Sequence, residues 1–170
     1  MSKAVMLSIR PKWCEKIING EKTIEVRKTR PKLKTPFRCY IYCMQSGVAL
    51  GAWGKHGKVI GEFTCDRIDR LAPANEPYGI YDIDDDYVLQ TCLENGALWD
   101  YGHGTPLYGW HISNLRIYDE ARELSEFRRA TDPCDSCHAE YTWECEGCKK
   151  LSGDIKRPPQ SWCYVEEVEA

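Results

Sequence analysis

Apolar positions along the chain come in short runs broken by turn residues. Val5-Met6-Leu7-Ser8-Ile9 is continuous enough to predict a strand. Pro11 suits the first turn of a helix, and Trp13, Ile17 and Ile18 recur at helical spacing through Lys12–Asn19. Gly20 is placed to stop that helix. Thr23–Arg27 alternates and is β-branched, which predicts a strand with Ile24 and Val26 on one face and Thr23, Glu25 and Arg27 on the other. Phe37–Met44 and Lys58–Leu71 read as further strands, the second a long one. Thr29–Pro36 is turn-like, and Gly47–Gly57 is a glycine-rich loop. Residues 72–86 are turn-rich and acidic, and Asp86–Asn95 predicts a short helix closed by Gly96. Trp110–Tyr118 and Gln160–Val165 are strands, with Glu120–Arg129 either helical or irregular. No repeat or low-complexity segment occurs.

Many short strands with one or two helices predict a small barrel or an α+β fold rather than a parallel sheet. A length of 170 residues suits one domain able to bury its own core. No apolar run approaches the roughly 20 residues of a membrane span. The first residues are too poor in apolar side chains for a secretory signal, so the expected compartment is cytoplasmic.

The net charge of -3 conceals a division. Residues 1–60 carry 13 Lys and Arg against 3 Glu, and the remainder carries 10 basic against 23 acidic residues. A basic half can mark a surface for phosphates or other anions; mixing of the two halves on folding is the alternative.

Cysteine usage adds a metal. Of the 10 cysteines, Cys134, Cys137, Cys145 and Cys148 form two Cys-x2-Cys pairs seven residues apart. Tetrahedral zinc takes four thiolates, each pair closing one edge of the tetrahedron. Zinc would order so polar a segment and leave no open coordination position, so the expected site is structural, with His138 a neighbour. Two disulfides, free thiols or a four-cysteine iron centre are the alternatives. The predicted insert is a zinc hairpin over residues 131–152. Cys14, Cys39, Cys43, Cys65, Cys92 and Cys163 read mostly as buried small hydrophobes in a reducing compartment.

A second constellation is Gly20-x-Lys22-x2-Glu25-x-Arg27. Glycine turns the helix directly into the strand, and Glu25 and Arg27 share a strand face. Arginine can take a phosphate or a base edge bidentately, and glutamate can accept from an amino group. A solvated face with an in-line ion pair is the plain alternative.

This motif, after a strand and a helix, resembles the signature of the ASCH domain, a family of the PUA-like superfamily. Met6–Pro11, Trp110–Ser113, Glu123–Phe127 and Arg157–Val165 also resemble bacterial and phage or prophage ASCH proteins. Together they cover most of the chain outside residues 72–100 and 130–156. The resemblance implies one ASCH domain over residues 1–170: a small PUA-like β-barrel with flanking helices, α+β in class, interrupted by the zinc hairpin. It implies a role in binding RNA or a modified nucleotide, with Lys22, Glu25 and Arg27 lining a cleft. Arg10 and Lys12 would extend its positive rim. Trp13, Trp53 and Trp162 are candidates for base stacking, each also readable as core.

Some ASCH proteins resemble amidohydrolases that deacetylate an acetylated cytidine. This chain keeps Lys22 and Thr23, but Glu25 stands where those proteins carry the nucleophilic threonine, and glutamate does not replace a hydroxyl in acyl transfer. A hydrolase or nuclease reading would use Lys22, Thr23 and Glu25, with Glu25 as general base. A phage protein binding a host protein through its zinc hairpin is the third reading. Asp82, Asp84, Asp85 and Asp86 lack the glycine and distal glutamate of a calcium loop and read as a solvated cluster. His103, between two glycines, reads as an exposed loop, and His111 is a candidate for the cleft. Lys149, Lys150, Lys156 and Arg157 flank the zinc segment as a second candidate phosphate contact.

Overall fold

The computed structural model describes residues 2–45, 56–74, 79–130 and 153–168. In chain order these form β1 (Lys3–Ile9), α1 (Pro11–Ile18), β2 (Ile24–Arg27), β3 (Phe37–Cys43), β4 (Lys58–Leu71), α2 (Asp85–Thr91), α3 (Asn95–Gly102), β5 (Leu107–Arg122), β6 (Arg128–Arg129), β7 (Gly153–Asp154) and β8 (Trp162–Glu166). A 3-10 turn spans Leu124–Glu126. The fold is α+β, as expected. The zinc hairpin and its cysteines Cys134, Cys137, Cys145 and Cys148 lie outside the described residues, as do Trp53, Lys149 and Lys150.

The chain divides into two compact units, and β4 and β5 contribute residues to both. The first unit comprises Met1–Pro11, Arg38–Glu62 and Arg116–Ala170. Its strand order is β5-β4-β3-β1-β8-β6-β7. β1 pairs in parallel with β3, Val5 opposite Cys39, and antiparallel with β8, Met6 opposite Cys163. Both edges of β1 are therefore paired, and its side chains are covered on both faces, which matches its unbroken apolar run: Ala4 to Leu7 are fully buried. Ala4, Met6, Tyr40, Val59, Phe127 and Val165 belong to its core. Tyr40 meets Phe127 edge-on at 4.9 Å between ring centroids.

The second unit comprises Lys12–Phe37 and Phe63–Leu115, with strand order β2-β5-β4. Val26, Leu71, Tyr81, Leu98 and Leu107 form its core, with Tyr87 and Trp99 packed against it. The predicted helix near residues 86–95 is replaced by two. Asp84 caps α2 by accepting from the Tyr87 backbone N–H at 2.8 Å, so one member of the acidic cluster serves the helix itself. Gly96 lies inside the first turn of α3 rather than ending a helix. Asn95-Gly96 favours a turn in isolation. Here the Asn95 amide accepts from Tyr81 N at 2.7 Å and donates to Tyr81 O at 3.2 Å, and Leu98 is fully buried. Tertiary contacts override local preference. His103 closes α3 at φ 50° and is exposed, as its glycine neighbours indicated.

Candidate functional site

Site geometry begins at the end of α1. Gly20 has φ 74°, a left-handed conformation that glycine adopts without Cβ strain. Gly20 N donates to Ile17 O, and Glu21 N and Lys22 N both donate to Lys16 O at 2.9 and 3.1 Å. This closure sends the chain inward, so Lys22 is only 2% exposed. Its Nζ donates to Thr91 O at 2.7 Å, at the C-terminal end of α2. It also lies 3.4 Å from Glu25 Oε2 and 5.1 Å from the Trp13 ring centroid. A carbonyl, a carboxylate and a ring face surround the three N–H groups of one ammonium.

β2 is buried at all four positions, so the face carrying Glu25 and Arg27 is not a solvated one. Glu25 Oε1 accepts from Arg27 Nη2 at 2.9 Å. Glu25 thus joins both cations, with side-chain exposures of 1% for Lys22, 8% for Glu25 and 9% for Arg27. The antiparallel register with β5 sets Glu25 opposite Trp110 and Arg27 opposite Tyr108, and paired residues share a face. Trp110 is fully buried and meets Phe37 edge-on at 5.9 Å.

His111 stands opposite Ile24 and therefore on the other face from Glu25. Its Nε2 lies 2.6 Å from Asp69 Oδ2 and 3.0 Å from an Arg67 Nη2. Tyr87 also lies on this side, its ring edge-on to His111 at 6.4 Å. Burial, with the Asp69 carboxylate adding to it, pushes the Tyr87 phenol well above its ordinary range. A Cβ at Gly109 would collide with Tyr87 Oη, which is why this position of β5 carries no side chain.

Lys12 is exposed in the second unit, its Nζ 4.4 Å from the Trp13 ring centroid. Arg10 is exposed and belongs to the first unit, as do the half-buried Trp162 and exposed Lys156 and Arg157. Thr23 is half-buried, its backbone N–H donating to Gln90 O and its carbonyl accepting from Ile112 N. No group of three or more His, Cys, Asp and Glu side chains set to hold a metal occurs among the described residues. Sequence reasoning passed over the exposed cations Lys28, Arg30, Lys32 and Lys34, which follow Arg27 directly. The signal that marks them is the lack of any Asp or Glu from Val26 to Gly61.

This α+β arrangement is shared with solved structures. A crystal structure of ASCH from Zymomonas mobilis is 18% identical, covers 96% of this chain and 88% of that one, and superposes with a TM-score of 0.60. A tyrosine-to-phenylalanine mutant of the same protein is 17% identical, with 98% and 92% covered and a TM-score of 0.61. Its serine-to-alanine mutant is 17% identical, with 96% and 89% covered and a TM-score of 0.60. The likeness is one of fold. Residues 7–83, which run from within β1 past β4 and include the whole Lys22–Arg27 motif, match the ASCH domain. No curated protein matches this sequence.

Proposed function

We propose that this chain binds RNA or a nucleotide-like ligand at the β2 face carrying Glu25 and Arg27. One observation supports the reading above others. The Lys22–Glu25–Arg27 network brings two cations and one carboxylate together where water hardly reaches. Cationic donors held in such surroundings suit an anionic or acceptor-rich ligand. Arg27 is the most exposed of the three and its planar fork suits a phosphate or a base edge. In this reading Arg27 touches the ligand, Glu25 accepts from an amino group, and Lys22 holds Glu25 from behind. Lys12 adds positive charge in the same unit. The ASCH domain supports an RNA ligand, and we read the chain as one PUA-like barrel domain with residues 131–152 inserted. We also propose a structural zinc on Cys134, Cys137, Cys145 and Cys148, supported by their spacing.

Binding of a labelled single-stranded RNA and of free nucleotides by wild type, Glu25→Gln and Arg27→Lys tests the site. Arg27→Lys keeps the charge and loses the fork, so it weakens binding by roughly 1–3 kcal/mol. Glu25→Gln weakens binding if the carboxylate accepts from a base amine. Unchanged affinity in both folded variants would remove the site from this face. Turnover of the RNA by wild type, lost in Glu25→Gln, would favour a hydrolase instead.

A further inference from the structure

Between Val26 and Gly61 the chain has no carboxylate side chain. Just after Arg27 its basic residues alternate: Lys28, Arg30, Lys32 and Lys34. The alternation is expressed in three dimensions. Pro31 is buried and Leu33 half-buried, while all four cations are exposed. Proline at 31 biases Arg30 to an extended backbone.

Some exposed or half-exposed cations elsewhere are matched by carboxylates: Lys16 with Glu21 at 2.7 Å, Lys58 with Glu123 at 2.7 Å and Arg122 with Glu126 at 3.0 Å. Among the described residues no carboxylate forms an ion pair with Lys28, Arg30 or Lys34. Two are steered by aromatic rings instead. Lys28 Nζ lies 4.9 Å from the Tyr101 centroid and the Arg30 guanidinium 5.9 Å from that of Tyr108. A ring face orients a cation without cancelling its charge. Tyr101 is itself 37% exposed, a flat surface of the kind on which bases stack.

We infer that Lys28, Arg30, Lys32 and Lys34 form a track for the phosphodiester backbone of single-stranded RNA, running on from Arg27. The inference rests on the RNA reading above and adds to it a second, sequence-independent contact. An anionic lipid surface is the poorer match, because the segment's apolar residues Pro31 and Leu33 turn inward and leave little to insert.

The test is the salt dependence of binding, by fluorescence anisotropy, of a labelled oligouridine at salt from about 50 to 200 mM. Each phosphate contact on a single strand contributes about 0.7 to the slope of log affinity against log salt. The variant Lys28→Gln/Arg30→Gln/Lys32→Gln/Lys34→Gln should lose about 3 from that slope and bind at least tenfold more weakly. Lys28→Arg/Lys32→Arg/Lys34→Arg should keep the wild-type slope. The control Arg116→Gln, exposed in the first unit, should also keep it. Should the fourfold variant melt early, Lys28→Gln and Arg30→Gln, made singly, should each lower the slope by about 0.7. Wild-type slope and affinity in the folded fourfold variant would overturn the track and leave the RNA reading standing. Failure of wild type to bind any RNA would overturn that reading and the track together. Loop-dependent binding to phosphatidylserine vesicles without RNA binding would likewise overturn it.

Discussion

Lys22 Nζ lies 2.7 Å from the carbonyl oxygen of Thr91, at the last residue of α2. A cation placed at a helix C-terminus satisfies a carbonyl with no partner inside the helix and meets the negative end of its dipole. The same ammonium approaches Glu25, so the motif lysine ties helix and strand together from inside.

Lys22→Met keeps the length of the side chain and removes its charge. It leaves the Thr91 carbonyl and one Glu25 oxygen without this donor in a buried place. Breaking such a network should cost about 3–5 kcal/mol in urea unfolding. A loss below about 1 kcal/mol would mean that the lysine does not hold the strand, and would return it to the list of ligand contacts.

Gly109→Ala brings a methyl group onto Tyr87 Oη and within 3.0 Å of Ile24 Cγ2. Overpacking of this kind costs typically 1–3 kcal/mol. Because the hydroxyl is the main obstacle, the same substitution made in a Tyr87→Phe background should cost distinctly less. Strict additivity in a double-mutant cycle would show that strand β5 shifts instead.

The Tyr118 hydroxyl donates to Glu62 Oε2 at 2.6 Å. Burial first, then the Glu62 carboxylate, raises the phenol well above its ordinary value. The folded chain therefore keeps a proton that the unfolded chain gives up near pH 10. The resulting stability is present below about pH 10 and is lost as pH rises from there toward the folded value. Tyr118→Phe should cost about 1 kcal/mol at neutral pH, the site being half open to water. It should also make the alkaline loss shallower in unfolding curves taken on either side of pH 10.

Metal content and thiol reactivity test the zinc proposal together. Elemental analysis should find about one zinc per chain. Among the described cysteines, Cys14, Cys39, Cys43, Cys65 and Cys163 are buried and Cys92 is half-exposed. Burial pushes the Cys65 thiol up to about 12 and raises that of Cys163. Before chelation Cys92 should be the first of these six to react with a thiol reagent. Chelation should then release Cys134, Cys137, Cys145 and Cys148 to the reagent. A folded, metal-free protein with those four thiols reactive from the start would end the proposal.

Lys58–Leu71 was legible from end to end because its apolar positions and flanking turns agree. The parts that were not legible share a cause. α3 depends on Asn95 bonding to Tyr81, which lies 14 residues away. β5 runs to Arg122 because pairing carries a strand through polar residues that no pattern marks. In the motif, spacing placed Glu25 and Arg27 on one face, but alternation cannot tell a wet face from a covered one, and all of β2 is covered. His111 was a candidate for the cleft from its place after Trp110 on a predicted strand, and cross-strand register puts it on the other face from Glu25. The basic alternation after Arg27 was hidden by the turn residues among which it sits.

β1 and β8 are hydrogen-bonded neighbours, Leu7 opposite Trp162, although more than 150 residues separate them. On the ribosome this separation becomes time. At roughly 5–20 residues per second, on the order of ten seconds or more pass between synthesis of the two strands. Until β8 emerges, one side of β1 offers unpaired N–H and C=O groups on a strand whose seven residues include five apolar ones, Ala4, Val5, Met6, Leu7 and Ile9. A bare apolar edge is a template for another chain. The nascent protein therefore passes through a long interval in which chaperone binding and intermolecular strand pairing compete for the place that β8 will take.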